Sequence, residues 1–77
     1  MQTKFRRHQK VKLLSPALSE DTEFYSDEEV QIKAGQTGEI NVILPNGRYH
    51  VKISDKKGNT IAYVVMDEEN LKDLEDG

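Results

Sequence analysis

Asn46-Gly47, set between two alternating apolar runs, limits the folds open to this chain more than any other feature. A two-residue type I′ reversal needs positive φ at both central positions, which asparagine tolerates and glycine adopts without steric cost. The flanking residues then form two strands whose side chains alternate with a period of two. Ile40, Val42 and Leu44 are expected on one face of the first strand, and Tyr49, Val51 and Ile53 on the same face of the second. Arg48, His50 and Lys52 take the opposite face. Gly35-Gln36-Thr37-Gly38 supplies a tight turn ahead of the hairpin.

Gln9–Leu14 reads as an earlier strand with Val11 and Leu13 inward, and as the candidate edge of the sheet. Ser15-Pro16 ends it, because proline cannot donate to a ladder. Ala17–Ile32 has no clear period and is rich in Ser, Asp and Glu, so it is predicted to be a long excursion carrying a short helical turn or a small hairpin. Ser54–Asn59 is a second reversal, and Thr60–Met66, apolar on both faces, is expected to be the most buried strand, with Tyr63 in the core. Asp67 suits a helix N-cap, Glu68 and Glu69 suit the positive end of the helix dipole, and Leu71 and Leu74 are expected to close the core. The spacing predicts a loosely attached basic arm over residues 1–8, one domain over 9–74 and a frayed tail over 75–77. Short strands joined by tight turns suggest a sandwich or barrel, and a chain this short favours a small, partly open barrel.

Lys33-Ala34-Gly35-Gln36-Thr37-Gly38-Glu39-Ile40, followed by Gly47-x-Tyr49-x-Val51-x-Ile53, resembles the glycine-punctuated signature shared by many SH3-like barrels. The KOW modules of ribosomal and transcription factors carry a similar turn, as do small electron-transfer accessory subunits such as photosystem I reaction-centre subunit IV. A family of small bacterial proteins of unassigned role is also similar, matched here by Ala34-Gly35, Gly38, Ile40, Gly47, Tyr49, Val51, Ile53, Asp55, Gly58, Thr60, Leu71 and Leu74. The resemblance spans Gln9 to Leu74 and rests on turns and core positions, which specify fold better than function. It implies a mainly β, five-stranded, partly open SH3-like barrel with a long first loop and a short helical turn near the C-terminus. It also implies a small partner protein, antitoxin-like or an accessory subunit.

Seventy-seven residues bury only about 60% of the surface that the unfolded chain exposes, so the core is small. With no cysteine there is no disulfide, thiolate nucleophile or cysteine-ligated zinc, and a reducing interior is expected. No apolar run approaches the ~20 residues that span a bilayer, and the basic start is not followed by the apolar block of a secretory signal. These features point to the cytoplasm.

No enzyme is expected, because neither His8 nor His50 has a sequence neighbour suited to orient it. The acidic run Glu20–Glu29 lacks the ligand spacing and mid-loop glycine of a calcium loop. Gly35–Gly38 is too short to cradle phosphate, so neither metal nor cofactor is expected. Charge is segregated: Met1–Leu14 holds five basic residues and no acid, and Glu20–Glu29 six acids and no base. The favoured reading is a protein-binding module, monomeric or paired through an edge strand, that meets another protein through Phe24, Tyr25, Glu28 and Glu29 of the loop and Arg48, His50 and Lys52 of the strand face. The alternative is a KOW-like RNA- or DNA-binding module. It would use Lys10, Lys12, Arg48, His50 and Lys52, extended by Lys4, Arg6 and Arg7, with Phe5 available for stacking. A pI of about 5.3 and two acidic blocks weigh against it.

Overall fold

The computed structural model describes residues 4–25 and 31–75. Its strands are β1 (Lys10–Leu13), β2 (Thr22–Phe24), β3 (Thr37–Leu44), β4 (Arg48–Ser54), β5 (Thr60–Asp67) and β6 (Leu71–Asp73). One-turn 3-10 segments at Ser19–Asp21 and Glu68–Asn70 precede β2 and β6. All neighbours are antiparallel, in the order β2-β5-β4-β3-β1-β6. The resemblance implies five strands, whereas the described residues form six. Gln9–Leu14, expected at the sheet edge, instead supplies an interior strand, since β1 bonds to both β3 and β6. The edges are the three-residue strands β2 and β6.

The central hairpin forms where the sequence places it. Asn46 and Gly47 both carry positive φ, 65° and 72°. The register pairs Leu44 with Arg48, so the reversal holds Pro45, Asn46 and Gly47 rather than two residues. A second departure lies within β3, where the pairing shifts between Ile40 and Val42. The extra residue, Asn41, reverses the alternation that the sequence predicts, as a β-bulge does. Ile40 and Ile43 therefore face the core, while Val42 (43% exposed) and Leu44 share the outer face with His50 and Arg48. On β4 the expected pattern holds: Tyr49, Val51 and Ile53 are buried.

Their register partners on β5, Met66, Val64 and Ala62, are buried too. β5 alternates rather than being buried on both faces, and Tyr63 lies on the outer face. Val11, Leu13, Ile32 and Leu71 complete the core with Phe5, while Leu74 is exposed.

Lys4–His8, expected in a loose arm, are held to the sheet. Phe5 is 1% exposed, packed edge-on against Tyr49 with ring centroids 5.4 Å apart, and so is not available for stacking on a ligand. The Tyr49 hydroxyl accepts from the backbone N–H groups of Lys4 (3.1 Å) and Phe5 (3.3 Å) and donates to Glu68 Oε2 (3.1 Å). His8 N–H donates to the Ile40 carbonyl, and Ile40 N–H to that of Gln9. A buried aromatic with its polar tip satisfied is a strong anchor, and here it ties the N-terminal segment to β4 and to the second 3-10 turn.

Candidate functional site

On the outer face, cross-strand partners align in rows. One row runs from Glu23 on β2 through Tyr63, Lys52 and Glu39 to Lys10 on β1. The next places Val65 beside His50 and Val42, and a third places Asp67 beside Arg48 and Leu44. Directly opposed residues have Cβ atoms only about 5 Å apart, so the side chains along each row are close neighbours.

Basic and acidic groups are interleaved along these rows. Glu39 meets His8 Nδ1 at 3.3 Å and Lys10 Nζ at 3.4 Å. The hydrogen bond from His8, with help from Lys10 and Lys52, holds the Glu39 carboxyl below its ordinary range against a smaller opposing effect of burial. Arg48 Nε lies 3.3 Å from Asp67 and its terminal nitrogen 4.0 Å from Asp21. Asp67 precedes the 3-10 turn, as a cap would, but its carboxylate faces Arg48 and makes no capping bond. Of the cations proposed for a nucleic-acid face, Lys10, Lys52, His50 and Arg48 lie on these rows, but Glu39, Asp67 and Asp21 sit among them.

His50 is half-buried and stacks on Tyr63, with centroids 5.1 Å apart and planes 13° from parallel. Asn41 Nδ2, on the bulge, lies 2.9 Å from His50 Nδ1. With the amide as donor, Nδ1 accepts and any neutral imidazole carries its proton on Nε2. The bulge thus orients the ring. His8 does meet a carboxylate, Glu39, but its side chain is 71% exposed and shares that carboxylate with Lys10.

The other expected contact residues separate. Phe24 packs against the core from β2, opposite Ala62. Tyr25 is 69% exposed, its N–H bonded to the Ile61 carbonyl. Lys52 is half-buried between Tyr63 and Glu39, while Glu28 and Glu29 lie outside the described residues. A groove runs between the excursion and the sheet, lined by Pro16, Leu18, Asp21, Arg48, Val65 and Asn70. Sequence reasoning missed Leu18, Asn41, Tyr63 and Val65 as surface groups. For Tyr63 and Val65 a signal existed, since they oppose Lys52 and His50 once β4 and β5 are paired.

Among the described residues, no group of three or more His, Cys, Asp or Glu side chains is placed to hold a metal ion. None of their helices is long and apolar enough to cross a membrane. Comparison with protein-family models, curated proteins and solved structures returns no match for this chain.

Proposed function

We propose that this chain is a non-catalytic protein-interaction module built as a small SH3-like barrel and working in a bacterial cytoplasm. The barrel reading is supported by β1 lying between β3 and β6, by the β3-β4-β5 meander, and by a one-turn 3-10 segment leading into the last strand. The interaction reading rests on one observation. The segment joining β1 to β3 leaves Leu14 (51%), Leu18 (58%) and Tyr25 (69%) in solvent, in a domain whose other large apolar residues are mostly packed away. Leu18 also lines the groove with Pro16 and Val65, so its exposed surface belongs to a concavity and not to an isolated position. Arg48, fastened to Asp21 and Asp67, forms the polar wall of that groove.

A nucleic-acid module is the weaker reading. Lys10, Lys52 and Lys56 line a cleft at the other end of the sheet, but Glu39 and Asp55 line it too. Both carboxyls are held below their ordinary range, Glu39 chiefly by His8 and Asp55 chiefly by the Asn59 N–H, so both stay charged and repel phosphate.

The test is a pull-down from bacterial lysate, with and without nuclease, at low and high salt, run in parallel with Leu18→Ser. A stoichiometric protein that survives nuclease and is lost with Leu18→Ser is the expected result. Recovery of nucleic acid, abolished by nuclease and by high salt, would replace this reading with the KOW-like one.

A further inference from the structure

We propose that the outer face around Tyr63 docks an arginine-bearing segment of a basic partner protein, an inference that rests on the interaction-module reading and gives its partner a chemistry. The floor is the stacked His50–Tyr63 pair beside Val65, and Glu20, Asp21 and Glu23 form one wall of the same depression. These acids come from the first 3-10 turn and β2, and Glu23 is the direct cross-strand neighbour of Tyr63.

Charge complementarity decides what covers this floor. Arg48 is already held by Asp67 and Asp21, and Lys10 by Glu39, beside which Lys52 also sits. Glu20 and Glu23 have no ion-pair partner among the described residues. The aromatic floor therefore lies next to two uncompensated carboxylates, and a cation can settle there without breaking an existing pair.

A guanidinium fits this chemistry better than an ammonium. It is planar and weakly hydrated, so it can stack on a ring face that the His50–Tyr63 contact leaves open while its edge donates in parallel to Glu23. A lysine would satisfy a carboxylate but stack less well. Val65 offers apolar surface to the arginine stem or to a neighbouring aliphatic residue. A phosphorylated or nucleic-acid ligand would meet the acidic wall and be repelled.

The probe is a capped peptide with two arginines separated by one valine, titrated into the isotopically labelled full chain and followed by amide chemical shifts. Shifts at Glu23, Tyr63 and Val65 that weaken with salt are expected, as is their loss when citrulline, which keeps the shape but not the charge, replaces arginine. Glu23→Lys should weaken binding about tenfold. Tyr63→Leu should weaken it several-fold, while Tyr63→Phe, which keeps the ring, should stay near wild type. Glu20→Lys provides a second wall variant should Glu23→Lys melt early.

Equal binding of the citrulline peptide, or no shift at these residues with millimolar peptide, overturns the inference. So does a partner from the pull-down whose capture needs Leu18 but is indifferent to Glu23→Lys; that outcome leaves the interaction-module reading standing. Capture of nucleic acid alone overturns both.

Discussion

Two glycines show how differently a single residue can constrain this fold. Gly47 has φ +72° and, its chain neighbours aside, no heavy atom within 4 Å of where a Cβ would sit, so its constraint is torsional. Gly38 is limited by space: a Cβ there would lie 2.5 Å from the Lys52 carbonyl oxygen and 2.9 Å from Val51 Cγ1. Val51 is fully buried and the Lys52 carbonyl is backbone, so neither can move aside cheaply. Gly38→Ala should therefore cost about 1–3 kcal/mol through overpacking of the β3–β4 pair. Gly47→Val should cost about 1–2 kcal/mol, because a β-branched residue resists positive φ. Gly47→Asn should recover most of that loss, whereas Gly38→Asn should be at least as harmful as Gly38→Ala. Chemical denaturation of the four variants would separate the two mechanisms; wild-type stability for Gly38→Ala would contradict the close approach of the strands.

Among the elements, the N-terminal segment is held by the Phe5 ring against Tyr49, by the His8 bond to the Ile40 carbonyl, and by the Tyr49 hydroxyl. The Tyr49 hydroxyl accepts from the N–H groups of Lys4 and Phe5 and donates to Glu68, joining three parts of the chain. Tyr49→Phe keeps the ring contact with Phe5 but leaves those donors without that acceptor, which should cost about 1–3 kcal/mol. Hydrogen exchange should report the loss locally, with faster exchange at Lys4 and Phe5 and little change at the β4–β5 ladder. Uniform loss of protection across the sheet would instead mean that the hydroxyl supports the whole core. The bulge at Asn41 acts at the same scale: by inserting one residue, β3 trades Val42 for Ile43 in the core and sets an amide beside His50.

At the scale of the whole molecule, acid should loosen the sheet through its carboxylates. Glu39, lowered chiefly by the His8 hydrogen bond, sits where β1, β3 and the N-terminal segment meet. A folded-state value below the ordinary 4.5 means that its contribution is fully present above that pH and is lost as pH falls through the lower, folded value. Asp55 and Asp73, lowered chiefly by the Asn59 and Glu75 N–H groups, act in the same direction from exposed positions. Thermal midpoints measured from about pH 6 to about pH 3 should therefore fall toward the acid end. Glu39→Gln should start lower and fall less; a parallel curve for this variant would remove Glu39 from the acid response.

Adjacent residues are enough to specify the hairpin, the inward set Tyr49, Val51 and Ile53, the Ser54–Asn59 reversal, and the helical turn after Asp67. Each follows from local torsional preference or from a period of two, and both are written in adjacent residues. The remaining features depend on contacts between distant parts of the chain. The sequence carries no mark of the bulge at Asn41, because one inserted residue changes pairing without changing composition. Phe5 looks like part of a charged arm until the Tyr49 hydroxyl, 44 residues away, gives its N–H a partner. Tyr63 reads as core because β5 is apolar on both faces, and only its pairing with Lys52 and Glu23 turns it outward. The candidate site depends most on such pairings, since its floor comes from β4 and β5, its wall from β2 and the 3-10 turn before it, and long-range register joins these strands.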